Sequence, residues 1–201
     1  MALFGANAAQ NRPLTRLQRW AHYLTMLTFG LGLLYGINML QSLQTATIGY
    51  VDVRAGISVR YPVNWLFDDD GSYIFRVRDM TRIGYKTTLQ ISVRPIGTQS
   101  SAEIVLNNLA LQRSTQLNQY RTLSITPASP LNDQPAVAMT YLFTTTEVDA
   151  ALESLPIVVL GRDVLVILRG QAVIITFTSD VATFDQDLAI FDRFLDSLEL
   201  Q

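Results

Sequence analysis

Hydrophobic positions fall along this chain in three patterns. Between Trp20 and Leu43 they run together, 24 residues without a formally charged side chain, with Arg19 and Asp52 the nearest fixed charges. As a helix this stretch reaches roughly 36 Å at 1.5 Å per residue, enough for a hydrocarbon core of about 30 Å. Trp20 and Tyr23 suit the headgroup level at one end. From Tyr50 onward the run gives way to alternation: Tyr50–Val53, Ile57–Tyr61, Ser72–Arg78 and Thr87–Arg94 each read as strands, with Pro62, Asp70-Gly71 and Pro95 as breaks. Over Ala102–Tyr120 the spacing becomes three and four (Ala102, Val105, Leu106, Leu109, Leu117, Tyr120). This predicts an amphipathic helix capped by Ser100 or Ser101, with Asn, Gln and Arg on its other face. Strand signals return in Thr122–Thr126, Ala136–Glu147, Leu155–Leu168 and Ala172–Ser179. Pro127, Pro130 and Pro135 are placed in loops, and Arg169-Gly170-Gln171 at a hairpin tip. A last helix follows from a Thr183-x-x-Gln186 capping box, its stripe formed by Phe184, Leu188, Phe191, Leu195 and Leu198.

Strands, a helix, more strands and a terminal helix predict an α+β domain: an antiparallel sheet flanked by helices, preceded by a single transmembrane helix. The organisation expected is a cytoplasmic N-terminus over 1–19, a membrane helix over 20–43, a short tether over 44–49 and an extracytoplasmic domain over 50–201. Orientation follows from Arg12, Arg16 and Arg19, which precede the span, while no basic residue follows it until Arg54. A cleavable signal peptide has a shorter apolar core and a small-x-small site, which Leu43-Gln44-Thr45-Ala46-Thr47 does not supply.

Composition narrows the chemistry. The chain has 201 residues, no cysteine and one histidine. Disulfides, thiolate zinc, iron–sulfur clusters and blue copper are therefore excluded, and multi-histidine metal sites with them. Without the three leading arginines, 12 basic residues face 17 acidic ones, so the exported part carries −5. That charge opposes nucleic-acid binding. No phosphate loop, nucleophile elbow or zinc-protease motif occurs, and Asp185 and Asp187, two apart on a helix, do not converge. The expectation is a non-enzyme without cofactor or metal.

Four sets of residues remain as candidates. Gly32 and Gly36 form a small-xxx-small pair for helix packing, with Asn38 as a polar contact at depth. His22 reads as an interfacial histidine; its alternative role is an axial ligand to a pigment or haem. Arg76, Arg78, Arg82 and Lys86 put four cations in 11 residues, set for contact with an acidic partner or anionic lipid, or simply a solvated strand face. Asp68-Asp69-Asp70-Gly71 lacks the alternate spacing of a calcium loop and reads as a hairpin turn.

Gly56-Ile57-Ser58-Val59 leading into Tyr61-Pro62-x-x-Trp65 resembles the opening of PsbP-like domains. The ending is similar to theirs as well, with Ile174-Ile175-Thr176-Phe177-Thr178 before a helix from Phe184 to Ser197-Leu198. The resemblance covers residues 50 to 201. It implies an α/β/α-like sandwich around an antiparallel sheet, and a noncatalytic role as an accessory part of photosynthetic complexes or a binding module of bacterial envelopes. Unlike the photosystem proteins, this chain carries its own membrane helix and lacks a long basic N-terminal arm. The expected function is a single-pass, membrane-anchored accessory subunit that assembles or stabilises a larger complex of photosynthesis or electron transport, partnered through its helix with other integral membrane subunits. An anchored envelope module that captures a small molecule or peptide is the alternative.

Overall fold

The computed structural model describes residues 15–44, 46–97, 100–146 and 155–200. Arg12, Thr45 and Glu147, which figure in the sequence reading, lie outside the described residues. The chain divides into two compact units, one ending at Ala46 and the other beginning at Thr47.

The first unit contains α1 (Arg16–Gln44), longer than the uncharged run because Thr15 and Gln18 cap it reciprocally. The Thr15 N–H donates to Gln18 Oε1 and the Gln18 N–H to Thr15 Oγ1. That Thr-x-x-Gln capping box starts the helix four residues before Trp20 and winds Arg16 and Arg19 into it. Thr25 and Thr28 return their hydroxyls to the carbonyls of Ala21 and Leu24 at 2.8 Å, so neither needs water. The helix is long and apolar enough to cross a membrane.

The second unit is α+β, with every strand pairing antiparallel. A small sheet has β2 (Ile57–Pro62) between β1 (Thr47–Asp52) and a two-residue final strand, Glu199–Leu200. In the large sheet the strands are β3 (Leu66–Asp68), β4 (Phe75–Arg78), β5 (Thr88–Pro95), β6 (Asn118–Leu131), β7 (Gln134–Thr145), β8 (Ile157–Leu168) and β9 (Gln171–Asp180). Their spatial order is β3-β4-β5-β9-β8-β7-β6. Helix α2 (Ala102–Gln116) packs on one face, over β6 to β8. Helix α3 (Phe184–Asp196) covers the other, reaching β9 and β2.

Alternation along the strands builds two cores. Phe75, Val77, Leu89, Ile91, Val164, Val166, Val173, Ile175 and Phe177 face α3, whose Phe191 and Phe194 pack among them. Met139, Tyr141, Phe143, Leu165 and Ile174 face α2 and meet Leu106 and Leu109. The buried stripe of α3 runs through Phe184, Asp187, Phe191 and Phe194. Leu188 and Leu195, expected on that stripe, lie at its margin and are half-buried.

Several boundaries differ from the sequence reading for identifiable reasons. Helix α2 stops at Gln116, not Tyr120, because Leu117 is extended and the chain enters β6 at once. Pro135 sits in β7 just after the turn, and Pro127 and Pro130 inside β6, rather than in loops. Strand β6 is an edge strand, where a residue with no N–H to donate is tolerated. The β6–β7 hairpin turns on Asn132-Asp133, both with positive φ (48° and 61°), as a type I′ turn. The β8–β9 hairpin repeats the device with Arg169-Gly170 (51° and 75°). Strand β4 begins only at Phe75, since the turn from Asp69 to Ile74 takes up the residues before it. Thr47–Gly49 belong to β1, leaving two residues between α1 and the first strand instead of the expected tether over 44–49. Thr183 precedes α3, but its hydroxyl goes to Asp187 and forms no capping bond.

Glycine is required at position 161, opposite Tyr141 in the β7–β8 ladder. A Cβ there would stand 2.2 Å from Cζ of the Tyr141 ring, which is 1% exposed and has no room to move. Gly161→Ala is expected to destabilise the protein by about 1–3 kcal/mol through overpacking. The measurement is denaturant unfolding of the full chain in detergent, followed by fluorescence of buried Trp65.

Candidate functional site

The cationic residues singled out by sequence separate into two groups. Phe75 and Val77 point into the α3-side core, so Arg76 and Arg78 project from the opposite face of β4. Arg76 pairs with Asp68 on neighbouring β3, and Arg78 approaches the same carboxylate at 3.5 Å. The Arg76 guanidinium lies 4.3 Å over the ring of Tyr73, which the β3–β4 turn brings to this side. Asp68 also accepts the Asp70 N–H at 2.9 Å, closing the turn. The hydrogen bond from Arg76 heads the causes that hold the Asp68 carboxyl down at about 2.

Arg82 is an internal tie. It pairs with Asp79 and with Asp187 of α3, a carboxylate only 1% exposed. Asp187 also accepts hydroxyls from Ser179 (2.6 Å), Thr183 (3.0 Å) and Thr87 (3.1 Å), which joins α3 to β9 and to the start of β5. Lys86 folds back and donates to the Arg82 carbonyl. Of the four cations, Arg76, Arg78 and Lys86 line one cavity and Arg82 does not.

That cavity exists because α2 covers only part of its face of the sheet. It spans β6 to β8, reaches Ile174 of β9 and Arg94 at the end of β5, and leaves the rest of the α2-side surface of β4, β5 and β9 without a helix. The resulting groove encloses ≈ 300 Å³. One rim carries the three cations; Tyr141, Phe143 and Leu117 form the apolar wall, and Gln90 adds a polar group.

Behind Tyr141 lies a polar cluster that the sequence reading missed. Arg113 of α2 pairs with Asp163 of β8, which is fully buried, and Arg113 Nη2 donates to Asp163 Oδ1 at 3.1 Å. The Thr176 hydroxyl donates to the same oxygen at 2.8 Å. The Arg113 guanidinium rests 4.4 Å over the Tyr141 ring, and Tyr120 packs on that ring at 5.4 Å between centroids. Burial pushes the Asp163 carboxyl above its ordinary value, while the Arg113 charge pulls the other way. Burial opposes the charge on Arg113 too, but the Asp163 carboxylate more than offsets it and raises the guanidinium further. Burial, with Asp163 adding to it, holds the Tyr141 phenol well above its usual range. The signal was present in the sequence. Arg113 stands four residues after Leu109 and seven after Leu106, on the apolar stripe, and Asp163 interrupts a Val/Leu run.

In α1, Gly32 and Gly36 share a face, and a Cβ at either would meet nothing within 4 Å. Asn38 is two residues past Gly36, about 200° around a helix of 3.6 residues per turn, so it does not join that face. His22 is exposed near the start of the helix.

Comparison with protein families finds no match, nor does comparison with curated proteins. Solved structures do resemble this one. The solution structure of cyanobacterial PsbP (CyanoP) from Synechocystis sp. PCC 6803 has a TM-score of 0.56 at 13% identity, covering 78% of this chain and 93% of its own. The Ran-binding protein Mog1p of Saccharomyces cerevisiae has a TM-score of 0.51 at 7% identity, covering 77% and 95%. A Pseudomonas aeruginosa protein of unknown function has a TM-score of 0.51 at 12% identity, covering 77% and 97%. The fold is PsbP-like.

Two measurements test these clusters. The folded value of Asp68 lies below the ordinary 3.8, so its contribution to stability is complete above the unfolded value and is lost as pH falls through about 2. Carboxyl NMR should find Asp68 ionised well below pH 3.8 in the wild type and titrating near its ordinary value in Arg76→Gln. Asp163→Asn, which strands Arg113, is expected to cost about 3–5 kcal/mol in chemical unfolding. The double change Arg113→Met with Asp163→Leu should recover most of that loss.

Proposed function

We propose that this protein is a single-pass, membrane-anchored, noncatalytic accessory subunit that assembles or stabilises a larger membrane complex of photosynthesis or electron transport. The observation that carries the reading is α1. Its large apolar side chains, from Leu17 through Phe29 to Leu40, are exposed, a surface suited to lipid or other membrane helices. The arginines before it favour a cytoplasmic N-terminus and a domain on the opposite side. Two residues then connect the helix to a PsbP-like domain, so the body is leashed to the bilayer and suited to bracing a neighbour there.

One feature favours a partner for the helix, and another favours a noncatalytic body. Gly32 and Gly36 answer to no contact within the fold, which leaves a flat strip for a second backbone. The buried carboxylates Asp163 and Asp187 are each occupied by donors of the fold, which favours structural rather than catalytic roles for both.

Extraction of native membranes in a mild detergent, followed by native electrophoresis, tests the proposal. The chain is expected to resist alkaline carbonate and to migrate with other integral subunits, and Gly32→Leu with Gly36→Leu is expected to release it. Migration alone, or recovery in the aqueous fraction, overturns the reading.

A further inference from the structure

We infer that the groove beside α2 binds a small organic anion, a carboxylate or phosphate monoester on a planar apolar body. Arg78 and Lys86 meet its charge, and the Tyr141 hydroxyl donates to it.

Charge comes first. Arg76, Arg78 and Lys86 share the lining, and no carboxylate does. Asp68 offsets one positive charge, since Arg76 holds it and Arg78 shares it only at 3.5 Å. The partner of Lys86 is a neutral carbonyl. The rim thus keeps an excess of cations, and Arg76 and Arg78 each retain a buried Nε–H without an acceptor. Cations gathered at a concave, partly apolar surface attract an anion more strongly than cations on an open face do.

Tyr141 is the second, independent sign. Its side chain is 1% exposed, yet it lines the groove, and its hydroxyl makes no hydrogen bond to any described residue. Buried phenols ordinarily find a partner. Here the ring lies against Gly161 and under the Arg113 guanidinium, which hold it in place. With its pKa well above 10 the phenol remains a donor at any physiological pH, and an anion is the acceptor it lacks.

Shape narrows the class. A volume of ≈ 300 Å³ stands at the lower end for small-molecule sites, large for bare phosphate and small for a dinucleotide. Phe143 and Leu117 supply an apolar wall that inorganic phosphate would leave unused. Two sources carry this chemistry, a soluble metabolite and an anionic lipid headgroup. The groove's chemistry is independent of what α1 engages, so solitary migration in native electrophoresis would leave it untouched.

The test is calorimetric titration of the full chain in phosphatidylcholine nanodiscs with benzoate, phenyl phosphate, inorganic phosphate and neutral benzamide. Benzoate and phenyl phosphate are expected to bind with Kd below ~1 mM, and benzamide and inorganic phosphate about tenfold more weakly or not at all. Lys86→Gln is expected to weaken phenyl phosphate about tenfold. Tyr141→Phe removes a hydroxyl that holds nothing in the fold, so it should weaken binding several-fold while leaving the thermal midpoint unchanged. Nanodiscs containing phosphatidylglycerol separate the sources: unchanged affinity marks a soluble ligand, and competition marks a headgroup. Equal binding of benzoate and benzamide, no binding of either anion, or unaltered affinity in both variants overturns the inference.

Discussion

The central strand β9 sets the terms for the rest of the domain. From Ala172 to Ser179 every residue is buried, on both faces, so each face must be covered by something else. Its odd-numbered residues Val173, Ile175 and Phe177 are covered by α3, with Phe177 and Phe191 stacked at 5.1 Å. Its even-numbered face is covered by α2 near Ile174 and then runs out of helix at Thr176 and Thr178. Threonine tolerates that half-covered position because its hydroxyl finds partners, Asp163 in one case and Tyr85 in the other. The groove is what remains where a 15-residue helix crosses a sheet wider than itself.

Ionic pairs placed inside the sheet do a related job. Asp163 and Asp187 lie on opposite sides of β9, and each ties a different helix to the strands. A buried carboxylate tolerates few alternative positions, because displacing it leaves a charge without donors in a poorly polar surrounding. Apolar contacts alone would let α2 and α3 slide by a turn over a surface of similar Val and Ile side chains. The pairs with Arg113 and Arg82 pin each helix to one register.

Much of this was readable from residue order. The strands, both domain helices and the antiparallel α+β plan follow from period and turn chemistry, as does the Ser101 cap, whose Oγ accepts the Ile104 N–H. Local patterns fail where a distant neighbour decides. Pro127 argues for a loop until β6 is known to be an edge; Tyr73 alternates onto the Phe75 face until the Asp68 turn redirects it toward Arg76. The candidate site was half legible: Arg76, Arg78 and Lys86 stand out by sequence density, but Tyr141, from a strand far along the chain, becomes their neighbour only through the order β4-β5-β9-β8-β7. Arg82 belongs to the same run of cations and was drawn inward by Asp187, 105 residues away.

The outermost strand has a bearing on life at high local density. Strand β6 is 14 residues long and mostly exposed, a length that would ordinarily template another chain. Its pairing with β7 is broken by three register shifts, and Pro127 and Pro130 deny hydrogens to any strand that approaches from outside. Copies at high local concentration therefore meet along a rim that resists zipping, and the sheet stays finite where an uninterrupted border would seed fibrils.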